Sequence, residues 1–280
     1  MTKDIFDSNL LGQKRAKFVS KWDKSDFLWT YMAKNVCDRV HDTLRDYDNA
    51  LDIGTRKMYI PRAFKQKDKV KHWDTQEAFA LDEPYTASII APITTIKPHS
   101  YDLLTSLLNL HNINNIQSEL QIYNQLLKPG GLLIANLFGE ENLKELRKAL
   151  YQAEMEVLGG ISPRISPNIT LKDAGNLLFM AGFKLPVADK ESLTINYKSP
   201  LKFLKDIQYM GESNSLINRL KTPKKPKAFI AALCHYLQEI AGGDDGSINI
   251  SVEIITLTGW KSDGTMNPKT TPNAPFEWML

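Results

Sequence analysis

The chain has 280 residues, of which 42% are hydrophobic and 24% charged; this is ordinary for a globular protein and long enough for one large α/β domain or two small ones. Its formal charge of +3 provides no global field that would draw in nucleic acid or an anionic membrane. Two distant cysteines, Cys37 and Cys234, lack CxxC spacing and fit reduced thiols on helix faces rather than a disulfide or a zinc site.

Met1-Thr2-Lys3-Asp4 carries no apolar targeting region, and no apolar run approaches the ~18 residues of a bilayer span. The expectation is a cytoplasmic protein without a transmembrane segment, with peripheral contact at the inner membrane left open. The first twenty residues are polar and punctuated. Ser25 to Leu44 then places Phe27, Leu28, Tyr31, Met32, Val36 and Val40 at helical spacing.

Ala50-Leu51-Asp52-Ile53-Gly54 is a short buried-type strand ending in glycine. Val70 to Trp73, ending at Asp74, predicts a second strand, and Ala87 to Ala91 a third. The near-continuous apolar run Tyr101 to Leu108 suits a strand covered on both faces. A helix over Ile116 to Leu127 breaks at Lys128-Pro129-Gly130-Gly131, ahead of a strand at Leu132 to Ala135. Glu140 to Val157 is amphipathic, with Leu143, Leu146, Leu150, Ala153 and Val157 inward, and Gly159-Gly160 ends it. A helix over Leu171 to Met180 stops before an extended Phe183 to Ala188. A helical stretch over Pro200 to Ala241 precedes a strand from Ile248 to Trp260, entered through the turn pair Asp245-Gly246.

Strands separated by helices, with one long strand returning late, predict a Rossmann-like α/β fold with a mostly parallel sheet. The expected division is one domain over 1–261, with an N-terminal helical segment over 1–48, a helical lid over 200–241 and an irregular tail over 262–280. The basic cluster Lys221 to Lys227 is read as a solvated loop, with a phosphate-contacting patch as the alternative.

A strand ending in Asp-Ile-Gly and opening into a helix is where α/β folds receive nucleotides, since glycine lets backbone approach the ligand. An acidic residue about twenty positions on would meet a ribose, and Asp74 holds that spacing. That strand, Leu51-Asp52-Ile53-Gly54, and two further segments, the Asp102 strand with Leu107-Leu108-Asn109-Leu110-His111 and Leu127-Lys128-Pro129-Gly130-Gly131, fall in the order seen in methyltransferases. Downstream come Asn136-Leu137-Phe138-Gly139, Glu145-Leu146-Arg147 and Gly159 to Pro167. Asp173 to Leu178, Met210-Gly211-Glu212-Ser213-Asn214, Asp245 to Ile248 and Leu257 to Trp260 complete the set. From Ile5 to Trp260 the chain resembles the methyltransferase-like complex I assembly factors, cousins of the biotin-pathway malonyl-carrier methyltransferases.

That resemblance implies a class I methyltransferase fold: a seven-stranded, mostly parallel sheet with its last long strand antiparallel, and a helical insertion before that strand. It implies S-adenosylmethionine as cofactor, with Asp52, Gly54, Arg56 and Asp74 as cofactor-binding positions. The partner it implies is a protein substrate such as a respiratory complex I subunit, modified by methyl transfer or arginine hydroxylation. One departure stands out. The family loop runs Asp-Ile-Gly-x-Gly-x-Gly, whereas this chain has Asp52-Ile53-Gly54-Thr55-Arg56-Lys57-Met58. Side chains at Arg56 and Met58 fill space the ligand needs and strain a loop built for glycine; the expectation is that the cofactor fails to bind at micromolar concentration. The opposing possibility is that Arg56 pairs with the cofactor carboxylate.

His111, just past the fourth strand, is a candidate to orient substrate or move a proton, against the alternative of a polar group satisfying its loop. Glu212 is a candidate catalytic acceptor for a cationic group, against a helix-capping role. Arg164, between stiffening prolines, is the candidate substrate-binding residue. No nucleophilic triad or P-loop is present, and His41, His72, His99 and His235 lack metal-ligand spacing. Three functions remain open: a protein-directed enzyme with a degraded glycine loop, a non-catalytic assembly factor without cofactor, and a carrier-protein carboxyl methyltransferase.

Overall fold

The apolar runs of the sequence assemble into one seven-stranded sheet of order β3-β2-β1-β4-β5-β7-β6. The strands are β1 (Tyr47–Ile53), β2 (Val70–Glu77), β3 (Ile89–Ile90), β4 (Tyr101–Ser106), β5 (Leu127–Phe138), β6 (Lys184–Tyr197) and β7 (Ile248–Trp260). This computed structural model describes residues 4–64, 69–79, 87–220 and 225–264. Strands β1 to β5 pair in parallel. β7 enters antiparallel between β5 and β6, with Leu132 opposite Trp260 and Phe138 opposite Ile254. The expected fold class therefore stands, and the antiparallel strand is an inner one.

The helices are α1 (Ser8–Phe18), α2 (Phe27–His41), α3 (Tyr59–Ala63), α4 (Ile116–Leu126), α5 (Lys144–Leu158), α6 (Leu171–Met180), α7 (Pro200–Tyr209) and α8 (Pro226–Ala241). One sheet face packs on α2, where Leu28, Met32, Val36 and Val40 are almost completely buried, each contributing roughly 1.5–3 kcal/mol of transfer free energy. Phe27 and Tyr31, expected on the same stripe, are exposed instead, because the packed face is narrower than the apolar face of the helix. The other sheet face packs on α4 and α6 through Leu120, Tyr123, Ala174 and Leu178. A third cluster joins α5 and α8 around Leu146, Ala153, Phe229 and Leu233.

Several boundaries differ from expectation. The polar N-terminal segment forms α1, capped by the Asp7 side chain on the Leu10 N–H. Lys128 to Gly131, expected as a break before the strand, lie within β5, which already begins at Leu127 where the helix ends. β6 runs to Tyr197, well past Ala188, because it is zipped along β7 to the Tyr197–Ile248 pair. In α7 Phe203 is buried, as is Met210 just past its end, and Leu204 and Ile207 pack at the third cluster, whereas Leu201 is exposed. The 221–224 part of the basic cluster and the tail over 265–280 lie outside the described residues.

Candidate functional site

In an open α/β sheet the carboxyl ends of the parallel strands form the ligand crevice. Here the β1 end turns at Gly54, with φ of +67°, where an added Cβ would lie 2.6 Å from Asn109 Cγ. Arg56 and Met58 follow with φ of +49° and +56°. The loop thus keeps the backbone path of a glycine-rich turn while two of its three special positions carry side chains, a strain of about 1–3 kcal/mol each. The Arg56 side chain is only 2% exposed. Its guanidinium donates to Met210 O at 2.7 Å and pairs with Glu212 Oε1. The same group lies 4.6 Å from the Trp29 ring centroid and 5.8 Å from that of Trp22.

A second arginine enters from α1. Arg15 is 3% exposed, its Nη1 3.4 Å from Asn109 Oδ1 and its Nη2 3.7 Å from Glu212 Oε1. The turn after α7 comes close enough that a Cβ on Gly211 would sit 3.0 Å from Arg15 Cγ. Burial pulls the Arg15 pKa down to about 10, with Arg56 adding repulsion and Glu212 opposing both. On the other side of Glu212, Oε2 accepts from Asn112 Nδ2 at 3.0 Å and lies 3.1 Å from His111 Nε2. Burial alone would raise the Glu212 pKa, but Arg56, His111 and Arg15 outweigh it and hold the carboxyl well below its usual range. Burial pushes His111 toward its neutral form, against the pull of Glu212. His111 Nε2 lies between the Glu212 carboxylate, which only accepts, and Asn112 Nδ2, an amide donor 2.9 Å away, while Nδ1 has no partner among the described residues. The ring packs on Phe138, centroids 4.4 Å apart.

His111, Glu212 and Arg56 therefore meet in one cluster. Asp52 lies beneath it, 1% exposed, accepting hydroxyl hydrogens from Thr55 at 2.6 Å and Thr105 at 2.8 Å. Burial raises its pKa to about 7 despite those two bonds. Asp74 is elsewhere: it lies opposite Leu51, three residues before the end of β2, and takes the Tyr101 hydroxyl at 2.8 Å. The acidic residue at the strand's carboxyl end is Glu77, whose carboxylate accepts the Arg56 backbone N–H at 2.7 Å. An odd separation puts 74 and 77 on opposite faces of a strand, so counting twenty residues from Gly54 selects the wrong side. Arg164 is also outside the cluster. It pairs with Glu154 at 2.6 Å, lies 4.2 Å from the Phe229 ring centroid, and lines a 780 Å³ surface groove with Arg147 and Tyr151.

Sequence reasoning missed Arg15, Glu77 and Asn109. Glu77 was findable from the length of β2, since it closes the strand; Arg15 shares an i, i+4, i+8 row with the buried Leu11 and Val19. In this structure the crevice at the carboxyl end of β1 is lined by closely packed side chains of the protein itself. Thr55, Arg56, Glu77, Ser106, Asn109 and Arg15 are all buried; Glu77 Oε1 accepts the Arg56 N–H, and Glu212 accepts from Arg56 and Asn112. A cavity of about 410 Å³ lies beside the crevice, with His111, Phe138, Ile113, Asn114 and Ile169 in its wall.

The chain has relatives. The chain is 33% identical over 268 residues to the arginine-hydroxylase NDUFAF5, mitochondrial, of Danio rerio, covering 92% of this chain and 83% of that protein. With the Homo sapiens protein of the same name it shares 33% over 270 residues, 93% of this chain and 78% of the relative. The chain belongs to the NDUFAF5 family. Among solved structures, a methyltransferase-assigned protein of Bacillus halodurans superposes with a TM-score of 0.53 at 15% identity, covering 80% of this chain and 98% of that one, which shows the class I methyltransferase fold. No profile of a known protein family matches the chain. Among the described residues no helix is long and apolar enough to cross a membrane.

Proposed function

We propose that this NDUFAF5-family chain is a single-domain complex I assembly factor, spanning residues 1–261, that acts on a protein partner without S-adenosylmethionine in the β1 crevice. The observation that carries this reading is the pair of buried arginines, Arg56 and Arg15, closed on Glu212 where the cofactor would sit. Methyl transfer needs a sulfonium held beside the acceptor, so the filled crevice counts against it and against the carrier-protein methyltransferase reading. Partner binding, or the arginine chemistry for which the relatives are named, is left to the His111 side of the site. The substrate-facing role falls to His111. Arg164, held by Glu154 on the rim of the open groove, is assigned to partner contact. The place of action is the cytoplasm, peripheral to the inner membrane.

The test is calorimetric titration of the unmodified chain with S-adenosylmethionine to about 1 mM, paired with complementation of a host strain lacking it. No heat of binding together with restored assembly of complex I supports the reading. Binding with a dissociation constant near 10 µM, which corresponds to about −6.8 kcal/mol, overturns it.

A further inference from the structure

The cavity of about 410 Å³ beside the closed crevice is lined by two residues, His111 and Gln117, that each carry a buried polar atom without a partner among the described residues. One is His111 Nδ1, on a side chain 5% exposed. Its ring is fixed through Nε2, against Glu212 and Asn112, and by packing on Phe138. The other is Oε1 of Gln117, the second residue of α4. A buried acceptor with no donor keeps its desolvation cost until something donates to it. Most of the remaining wall is apolar: Phe6 and Phe138 bring aromatic side chains, and Ile113, Leu137 and Leu177 aliphatic ones. Asn114 and Asn115, also on the wall, are occupied by backbone N–H groups of Ile5, Phe6 and Ser118. A mainly apolar space with a few polar atoms left to serve is how small-ligand sites are built.

Gln117 Oε1 can only accept, so the ligand must donate. His111 Nδ1 accepts or donates according to which ring nitrogen carries the hydrogen. A hydroxyl meets both demands, because it gives one hydrogen and can take others. The aromatic side chains select a flat ring to carry it. A cation gains little here. Asp173, a carboxylate on the wall, is exposed and takes the Thr170 hydroxyl at 2.8 Å, while Glu212 behind His111 already faces Arg56 and Arg15. We propose that this cavity is a binding site for a neutral ring bearing a hydroxyl, the chemistry of a phenol, with Gln117 accepting from the hydroxyl and His111 as the polar contact beside it. A free phenol and the tyrosine side chain of a protein partner share that chemistry. The proposal deepens the proposed function and rests on it in one respect, that the His111 side is the open end of the crevice.

The experiment titrates the full-length chain by calorimetry with p-cresol, toluene and benzylammonium, and follows the His111 ring nitrogens by NMR. The expected result is saturable binding of p-cresol in the low-millimolar range or below, with a shift of the His111 Nδ1 signal. Toluene and benzylammonium should bind at least about fivefold more weakly, the worth of one hydrogen bond exchanged with water. Gln117→Leu, which keeps the bulk and removes the acceptor, should erase the advantage of p-cresol over toluene. Ile169→Phe, which narrows the cavity from a partly exposed wall, should weaken both. N-acetyl-tyrosinamide separates the two sources: affinity at or above that of p-cresol assigns the site to a partner's tyrosine, and weaker binding assigns it to a free phenol. No binding of p-cresol to the unmodified chain, or equal binding of p-cresol and toluene, overturns the proposal and leaves the two polar atoms to water. Both of these outcomes are read on the unmodified chain, so they hold even where a variant does not fold. The S-adenosylmethionine titration reads the earlier proposal separately, so either can fail alone.

Discussion

The two halves of the crevice edge differ sharply. At the β1–β2 end, Arg15, Arg56, Glu77 and Glu212 are buried and bonded to one another. At the β4–β5 end, an open cavity of about 410 Å³ is walled mainly by Ile113, Ile116, Leu137 and Phe138, with His111 on the border between them. One stretch of the fold's ligand edge has become a charged interior, while its neighbour keeps room for a visitor. Charged side chains can fill a cofactor site only if each finds its counterion, because an unpaired buried charge costs several kcal/mol. Arg56, in the loop where the family has glycine, depends on Glu212 as its counterion, with Arg15 close to the same carboxylate.

The strongest way to break this contrast is Glu212→Ala. With two arginines left facing each other in a buried site, global stability should fall by about 3–5 kcal/mol, read by urea denaturation at neutral pH. A loss under about 1 kcal/mol would mean that water reaches the cluster and that the crevice is open after all.

pH sharpens the comparison through two carboxyls displaced in opposite directions. Asp52 is raised to about 7, so the native state holds a proton that the unfolded chain releases near its ordinary value of about 3.9. Its stability contribution is full below about pH 4 and is lost as pH rises toward 7, with a slope of at most about 1.4 kcal/mol per unit. Asp52→Asn should flatten that decline, giving a variant with its largest advantage at pH 8 and none at pH 4. Glu212 is displaced downward: its contribution is present above the ordinary carboxyl range and is lost only as pH falls through its lower folded value. An Asp52→Asn stability profile that parallels the unmodified one from pH 4 to 8 would remove Asp52 from this account.

Reopening the cofactor side should require more than the loop. Arg56→Gly with Met58→Gly clears the two family glycine positions but leaves Arg15 in the crevice. Adding Arg15→Leu should strengthen S-adenosylmethionine binding at least tenfold over the double variant, about 1.4 kcal/mol, by calorimetry. Equal affinities would show that the damage is confined to the loop. The smallest expected effect is Tyr101→Phe, which removes the hydrogen bond to Asp74 and should cost about 1 kcal/mol. It should leave any ligand affinity of the reopened variants unchanged, since Asp74 lies before the strand's carboxyl end.

How legible the protein was depends on the range of the interaction. The Asp-Ile-Gly turn, the Leu171–Met180 helix and the Ile248–Trp260 strand were readable because apolar period and turn chemistry act over a few residues. α1 was not, since its buried row includes Arg15, and an arginine signals a buried face only when its counterion is known. The damage to the glycine loop was likewise visible at Arg56 and Met58. What filled the space was not, because Glu212 lies 156 residues along the chain from Arg56. Asp74 shows the same limit: its spacing matched, yet strand length and parity placed Glu77 at the crevice instead. By itself, then, the sequence determined the fold, the family and the loss of the loop glycines, all consequences of local pattern and order along the chain. Only the tertiary structure decided which charges meet in the vacated space, because pairing there rests on α1, the β1 loop and the turn after α7 converging at one strand end, which no local pattern encodes.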